Sequence, residues 1–275
     1  MSTEDLLFEL GTEELPAGEI SGMAAALVDT VTRDLTQYSL HYSSVEQFST
    51  PRRLAVLVRD VAVRGADQER HVVGPPLSAA RDEQGQWTPA AEGFARKQGI
   101  DTSALTISEE NGIERIAAHV IQTGAAARDV IPEIIKNAVS AIPVSKRMRW
   151  GLARDEFLRP VQWLLLLFGE EVLPYEQFGL ISGRESRGHR FHHDKPVSLS
   201  RASDYSSLLR NANVIADEAE RKRIIAEQVT ALVTTEETVA LSDELLNEVT
   251  GLVEWPIALR GSCDPAFLEV PERAR

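Results

Sequence analysis

The chain has 275 residues, 43% of them hydrophobic and 26% charged, which fits a folded, water-soluble protein with room for two compact units or one large one carrying insertions. Its 29 Lys and Arg against 42 Asp and Glu leave a net charge of −13, which excludes a surface coated with nucleic acid and leaves room only for a local basic patch. A single cysteine, Cys263, excludes a disulfide framework or a thiolate zinc site built within one chain and points to a reducing compartment.

Met1 to Asp5 lacks the basic-then-apolar pattern of a leader, and the first elements follow at once. Leu6–Leu10 is a short apolar run that predicts a strand, and Gly11 and Pro16 bracket a turn. Ile20, Met23, Ala24, Leu27, Val28, Val31 and Leu35 recur at helical spacing and predict an amphipathic helix. Val45–Ser49 and Leu54–Val63 read as strands. Between Ala66 and Gln98 the text is loop-rich, with turn signals at Gly74-Pro75-Pro76 and Asp82–Gly85 and a short helix expected over Pro89–Gln98. Asn111-Gly112 between Leu105–Ser108 and Ile113–Gln122 predicts a hairpin.

A second amphipathic helix is expected from Val130 to Ile142, ended by Pro143. Val161–Phe168 and Val172–Leu180 read as a buried strand pair turned at Gly169-Glu170; the apolar run within it, Trp163–Phe168, is the longest in the chain and too short to span a bilayer. Ser182–Pro196 is polar and linker-like. Beyond it the pattern turns helical: Asp217 with Glu220 resembles a capping box, Ser242 can cap a helix carrying Leu245, Leu246, Val249, Leu252 and Val253, and Trp255–Leu259 reads as a strand. Hairpins mixed with helices predict an α+β fold of two or more subdomains.

Motifs for familiar chemistry are missing. The sequence has no dinucleotide-type or phosphate-loop glycine pattern and no nucleophile elbow. His189, His192, His193 and Asp194 have the composition of a metal site, but Arg184, Arg187 and Arg190 among them would repel a cation, so no metal is expected. Glu13 and Glu14 are adjacent and therefore face apart, which favours helix-start stabilisation over an acid/base dyad. The anomaly is local positive charge: Lys146, Arg147, Arg149, Arg154 and Arg159 outnumber Asp155 and Glu156, with Trp150 and Phe157 interleaved. Arg187, His189 and Arg190 form a second basic stretch, and Arg52 and Arg53 a third behind Pro51. Arginine grips phosphate bidentately and aromatics stack on bases, so these segments are an RNA-facing strip, or else arginines paired with the surplus carboxylates. Charge alone leaves both readings open.

Five blocks together resemble one family. Gly11-Thr12-Glu13-Glu14-Leu15-Pro16, Pro51-Arg52-Arg53-Leu54-Ala55, Met148-Arg149-Trp150-Gly151 with Phe157-Leu158-Arg159-Pro160, Arg187-Gly188-His189-Arg190-Phe191, and Leu252-Val253-Glu254-Trp255-Pro256 with Phe267-Leu268-Glu269-Val270-Pro271 occur in the order found in the β chain of the bacterial two-subunit glycyl-tRNA synthetase. Each block is short; their order across the whole chain makes the resemblance specific.

The resemblance implies a ligase subunit with no catalytic site of its own. In that family the α chain holds the class II site that uses ATP and Mg²⁺ to join glycine to tRNA, and the β chain orients tRNA(Gly) within an α2β2 tetramer in the cytoplasm. No cofactor is implied for this segment. Part of the chain is expected to be similar to the B3/B4 region of the phenylalanyl-tRNA synthetase β chain, with an α/β unit over 1–65, that region over 66–196 and a mainly helical part over 197–275. Family β chains are longer and carry HD-like and anticodon-binding domains later on; their absence here implies a truncated chain. The tRNA-binding candidates are Arg52, Arg53, Lys146, Arg147, Arg149, Arg159, Arg187, His189 and Arg190, chosen on charge and not transferred from the family. Two other functions compete: an aminoacyl-tRNA deacylase using His189 or His193, and an interaction module that binds no RNA.

Overall fold

A computed structural model describes residues 2–82, 84–151, 155–234, 237–262, 264 and 266. Of the features singled out above, Cys263, Arg154 and the block Phe267–Pro271 lie outside the described residues.

The N-terminal apolar run forms β1 (Thr3–Thr12), the middle strand of a five-stranded antiparallel sheet. The order is β2 (Ser44–Thr50), β3 (Arg53–Ala62), β1, β7 (Val161–Phe168) and β8 (Glu171–Val172). Strands β1, β3 and β7 carry apolar side chains at nearly every position because both sheet faces are covered. One face presents Leu6, Phe8, Leu10, Leu54, Val56, Val58, Leu164, Leu166 and Phe168 to the helices α1 (Ala17–Gln37) and α4 (Ala127–Ala141). The residues between them, Leu7, Ala55, Leu57, Leu165 and Leu167, point the other way. They pack under Val197, Leu199, Val214 and the helix α5 (Tyr205–Asn211).

Residues between β3 and α4 form a separate small sheet. Its order is β4 (Gln68–Pro76), β6 (Ile113–Gln122), β5 (Thr106–Glu110), with α2 (Leu77–Ala80) and α3 (Pro89–Gln98) packed on it around Ala80, Ala91 and Ile116. Asn111 and Gly112 turn its hairpin with φ of 55° and 76°, the left-handed pair that an Asn-Gly turn supplies at low cost. The chains entering and leaving this unit meet at a narrow neck, where Gly65 N–H donates to Ala125 O at 2.9 Å. The segment expected as 66–196 therefore contributes to the central sheet as well as to the small one: β7 returns to pair with β1, whose free edge is where a strand apolar on both faces can be buried.

The α+β class is borne out, as are the two long helices, the Asn-Gly hairpin, α3 and the caps of the last helices. Asp217 Oδ1 accepts from Ala219 N–H at 2.8 Å to start α6 (Glu218–Ala231), and Ser242 Oγ accepts from Leu245 N–H at 3.2 Å to start α7 (Asp243–Thr250).

Four expectations need correction. The loop-rich text after Ala66 contains strand β4, whose ladder slips between Val73 and Pro76 as its glycine and prolines arrive. The strand read over Val172–Leu180 breaks into β8 and a tight hairpin of β9 (Glu176–Gln177) and β10 (Leu180–Ile181), turned at Phe178-Gly179 with both φ positive. The polar stretch Ser182–Pro196 is no linker: β11 (Glu185–Arg187) pairs with β12 (Pro196–Ser198), and Ser186 is wholly buried. Trp255–Leu259 is not a strand. The Gln228 side chain takes the place of a partner strand, donating to Pro256 O and accepting from Ala258 N–H at 2.7 Å.

Candidate functional site: a basic cleft above a buried charge cluster

Sheet register places the chemistry. On the second face Gly11 lies opposite Arg53 on one side and Trp163 on the other, so these form a single cross-strand rung. The next rung is Ala55, Glu9 and Leu165. A Cβ on Gly11 would lie 1.9 Å from the Trp163 ring; glycine leaves the space the indole occupies. Glu9 and Arg53 are thereby brought together in the interior, both 0% exposed.

Such burial of charge needs full pairing. The Glu9 carboxylate accepts from Trp163 Nε1, from Tyr205 Oη and, at 2.6 Å, from Ser186 Oγ. Arg53 NH1 lies 3.6 Å from Glu9 Oε2 and donates to Ser186 Oγ at 3.1 Å. Its NH2 donates to Arg187 O at 2.9 Å and to Glu254 Oε1 at 3.1 Å. Thr50 Oγ1 donates to the same Glu254 oxygen at 2.8 Å. Burial works against the Arg53 charge, but Glu254 and Glu9 outweigh it and hold the guanidinium protonated. Burial likewise works against ionised Glu254, and the neighbouring Arg53, Thr50 and Arg52 more than offset it, leaving its pKa below the ordinary value. Burial beside Glu9 raises the Tyr205 phenol well above its usual range, so it serves as a donor.

The turn after β1 gathers the other blocks. Thr12 N–H donates to Arg52 O, Leu15 N–H to Pro51 O and Glu13 N–H to Pro160 O, at 2.8, 2.7 and 2.9 Å. Glu13 and Glu14 precede α1, which starts at Ala17, and their carboxylates bind Arg190 at 2.7 and 3.3 Å. They anchor an arginine loop, not the helix start expected from the sequence.

The candidate tRNA contacts fall into distinct settings. Arg53 has no surface to offer a ligand. Arg149 pairs with Glu156 at 2.7 Å and Arg190 with Glu13 and Glu14, while Arg159 Nε donates to Glu14 O at 3.1 Å. His189 Nδ1 accepts from the N–H groups of Phe191 and His192, both at 3.2 Å, which fixes the loop. Burial lowers its pKa against the pull of Glu254, with His192, Arg52 and Arg53 adding to the fall, so the imidazole is held neutral. Lys146 and Arg147 are exposed and Arg52 and Arg187 lie elsewhere, all four without an ion pair among the described residues.

Arg52 and Arg187 meet at one cleft. It measures about 370 Å³ and is lined by Arg52, Trp163, Glu185, Arg187, His193, Asp194 and Lys195 among others. The guanidinium groups of Arg52 and Arg187 lie 5.8 and 5.4 Å from the Trp163 ring centre. Alternation along β11 explains the cleft, since Ser186 points inward while Glu185 and Arg187 on either side point out. Sequence reasoning missed Lys195, Trp163, Glu9 and Glu254. Glu9 did carry a signal, a lone carboxylate inside an otherwise apolar strand; Glu254 and Lys195 enter only through long-range pairing of loops.

Residues from the blocks around Gly11–Pro16, Pro51–Ala55, Phe157–Pro160, Arg187–Phe191 and Glu254 thus converge on one end of the sheet, and whole-chain comparison gives the same family. The model of the glycyl-tRNA synthetase beta subunit family matches residues 6–274. The chain belongs to that family. A glycine–tRNA ligase beta subunit from Ectopseudomonas mendocina is 42% identical over 276 residues, covering 100% of this chain and 40% of the relative. The protein of the same name from Chromohalobacter salexigens is 44% identical, covering 98% of this chain and 39% of the relative. The chain therefore spans about two fifths of the length of these family members. Among the described residues, no helix is long and apolar enough to cross a membrane.

Proposed function

We propose that this chain is the tRNA-handling N-terminal part of a glycine–tRNA ligase β subunit. It binds tRNA(Gly) and holds the acceptor end for ATP-dependent glycylation at the active site of an α chain, within an α2β2 assembly in the cytoplasm. ATP and Mg²⁺ belong to the α chain. The observation that carries this reading is the family match over residues 6–274. Fixing the acceptor end beside activated glycine turns a bimolecular encounter into an effectively unimolecular step, a large entropic gain that requires no reacting group on this chain. Among the candidate residues, Arg52, Lys146, Arg147 and Arg187 form no ion pair among the described residues and are available to phosphates.

The deciding experiment is glycine charging of bacterial tRNA by a purified α chain with and without the full-length β chain. Charging that needs both supports the reading; full charging by the α chain alone overturns it. A purely structural interaction module is the second reading, favoured by Leu252, Ile257 and Leu259, which are 62%, 64% and 86% exposed. It predicts assembly with an α chain and no RNA binding. A deacylase that uses His189 is less favoured, because His189 Nδ1 is committed to main-chain N–H groups.

A further inference from the structure

Arg52 is built into the fold in a way that structural need does not explain. The residue is 8% exposed, yet its Nε has no hydrogen-bond partner among the described residues. A buried donor left without an acceptor is destabilising. Burial lowers its pKa; attraction to Glu254 opposes this, while Arg190 and Arg53 crowd it with like charge. Glu254, which attracts it more than Glu13 does, is already shared by Arg53 and Thr50. Arg52 lines the cleft, so an anion entering there would meet its guanidinium and offset the like charge that crowds it.

The cleft is equipped for one. Arg187 and Lys195 stand on its exposed rim, and neither forms an ion pair among the described residues. Two carboxylates, Glu185 and Asp194, also line it without pairing to these cations, so the positive charge is in excess but not overwhelming. That balance suits a singly charged group such as a phosphodiester better than a polyphosphate. The position of Arg52 is fixed from below: its own carbonyl accepts from Thr12 N–H at 2.8 Å, and the Trp163 ring lies under its guanidinium. A guanidinium held in this way loses little entropy on binding.

We propose that this cleft is a phosphate site that takes one backbone phosphate of bound RNA, with Arg52 at its base and Arg187 and Lys195 at its rim. This rests on the tRNA-binding reading above and narrows it: Arg53, Arg149, Arg159 and Arg190 shape the loops and do not grip the RNA.

The test is binding of a tRNA(Gly) transcript to the full-length protein at stepped salt, for the native sequence, for Arg187→Ala with Lys195→Ala, and for Lys97→Ala with Lys136→Ala. The last pair removes equal charge from exposed positions outside the cleft. The cleft variant should weaken binding and lower the slope of log K against log salt by about one. Both substituted residues are on the surface, so folding is kept. Arg52→Gln, checked for an unchanged thermal midpoint, should give a similar loss. In parallel, inorganic phosphate should alter the tryptophan fluorescence of the native protein, through Trp163, and not that of the cleft variant. An unchanged salt slope in the cleft variant, or an equal fall in the control pair, overturns the site and leaves the tRNA reading standing. No tRNA binding by the native protein overturns both, and a surviving phosphate response would then assign the cleft to a free phosphate.

Discussion

Arg53 NH2 and Glu254 Oε1 meet at 3.1 Å although 201 residues separate them in the chain, and the arginine side chain is fully enclosed. This pair ties the start of β3 to the segment after α7, and Ile215 N–H donating to Glu254 O at 2.9 Å completes the tie. A buried ion pair is itself weak grounds for stability, but losing one member leaves the other unpaired inside. Arg53→Met, which strands both Glu9 and Glu254, should therefore cost about 3–5 kcal/mol in urea unfolding. Arg53→Met combined with Glu254→Gln should cost less than the two single changes added together. Strict additivity would show that the pair does not act as a unit.

The same pair sets a pH dependence. The folded-state pKa of Glu254 is depressed, so its contribution is present above the unfolded carboxylate value, near pH 4.3, and is lost as pH falls through the lower folded value. Glu254→Gln should thus lower the thermal midpoint most at neutral pH. The gap to the native protein should close as the buffer is taken below about pH 4. A gap of constant size down to the acid transition would mean that the carboxylate is not ionised in the fold.

Much of this architecture is legible in the sequence where local pattern decides it. Helical spacing in α1 and α4, the Asn111-Gly112 turn and the caps at Asp217 and Ser242 all act within a few residues. The polar core does not act locally. Arg53, Trp163, Ser186, Tyr205 and Glu254 each look ordinary in their own segments, Glu9 stands out only as a lone carboxylate in an apolar strand, and only the sheet register and two long loops bring the six together. That is why Arg53 reads as a surface cation beside Arg52, and why Ser182–Pro196 reads as a linker although Ser186 is a core residue. The basic residues are legible as a class, but their sorting into paired and free depends on which carboxylates fold against them, as Glu13 and Glu14 do against Arg190.

Gly11 gives a local test of the rung it shares with Arg53 and Trp163. A methyl group there would meet the indole at 1.9–2.3 Å, and the indole cannot swing aside without giving up its hydrogen bond to Glu9. Gly11→Ala should destabilise by about 1–3 kcal/mol and shift the tryptophan emission. Pairing it with Trp163→Leu should recover part of the packing loss. Full stability in Gly11→Ala alone would show that the rung is loosely packed.

The narrow neck of the small sheet makes a larger change testable. Gly65 and Gly124 approach so closely that a Cβ on Gly124 would lie 1.9 Å from Gly65 O, and Arg64 Nε reaches Gly124 O at 2.8 Å. The chain thus leaves the central sheet and returns at nearly the same point. None of the described residues within 67–123 belongs to either large apolar cluster, and their own cluster centres on Ala80, Ala91 and Ile116. Replacing 67–123 with a short Gly-Ser linker should leave the central sheet folded, because the loop to be closed is already closed by the fold. The expected change is about 1 kcal/mol, read from urea unfolding of the shortened protein by the emission of its remaining tryptophans. Loss of a cooperative transition would show that the small sheet supports the central one, and the neck would then be a brace holding two dependent parts together.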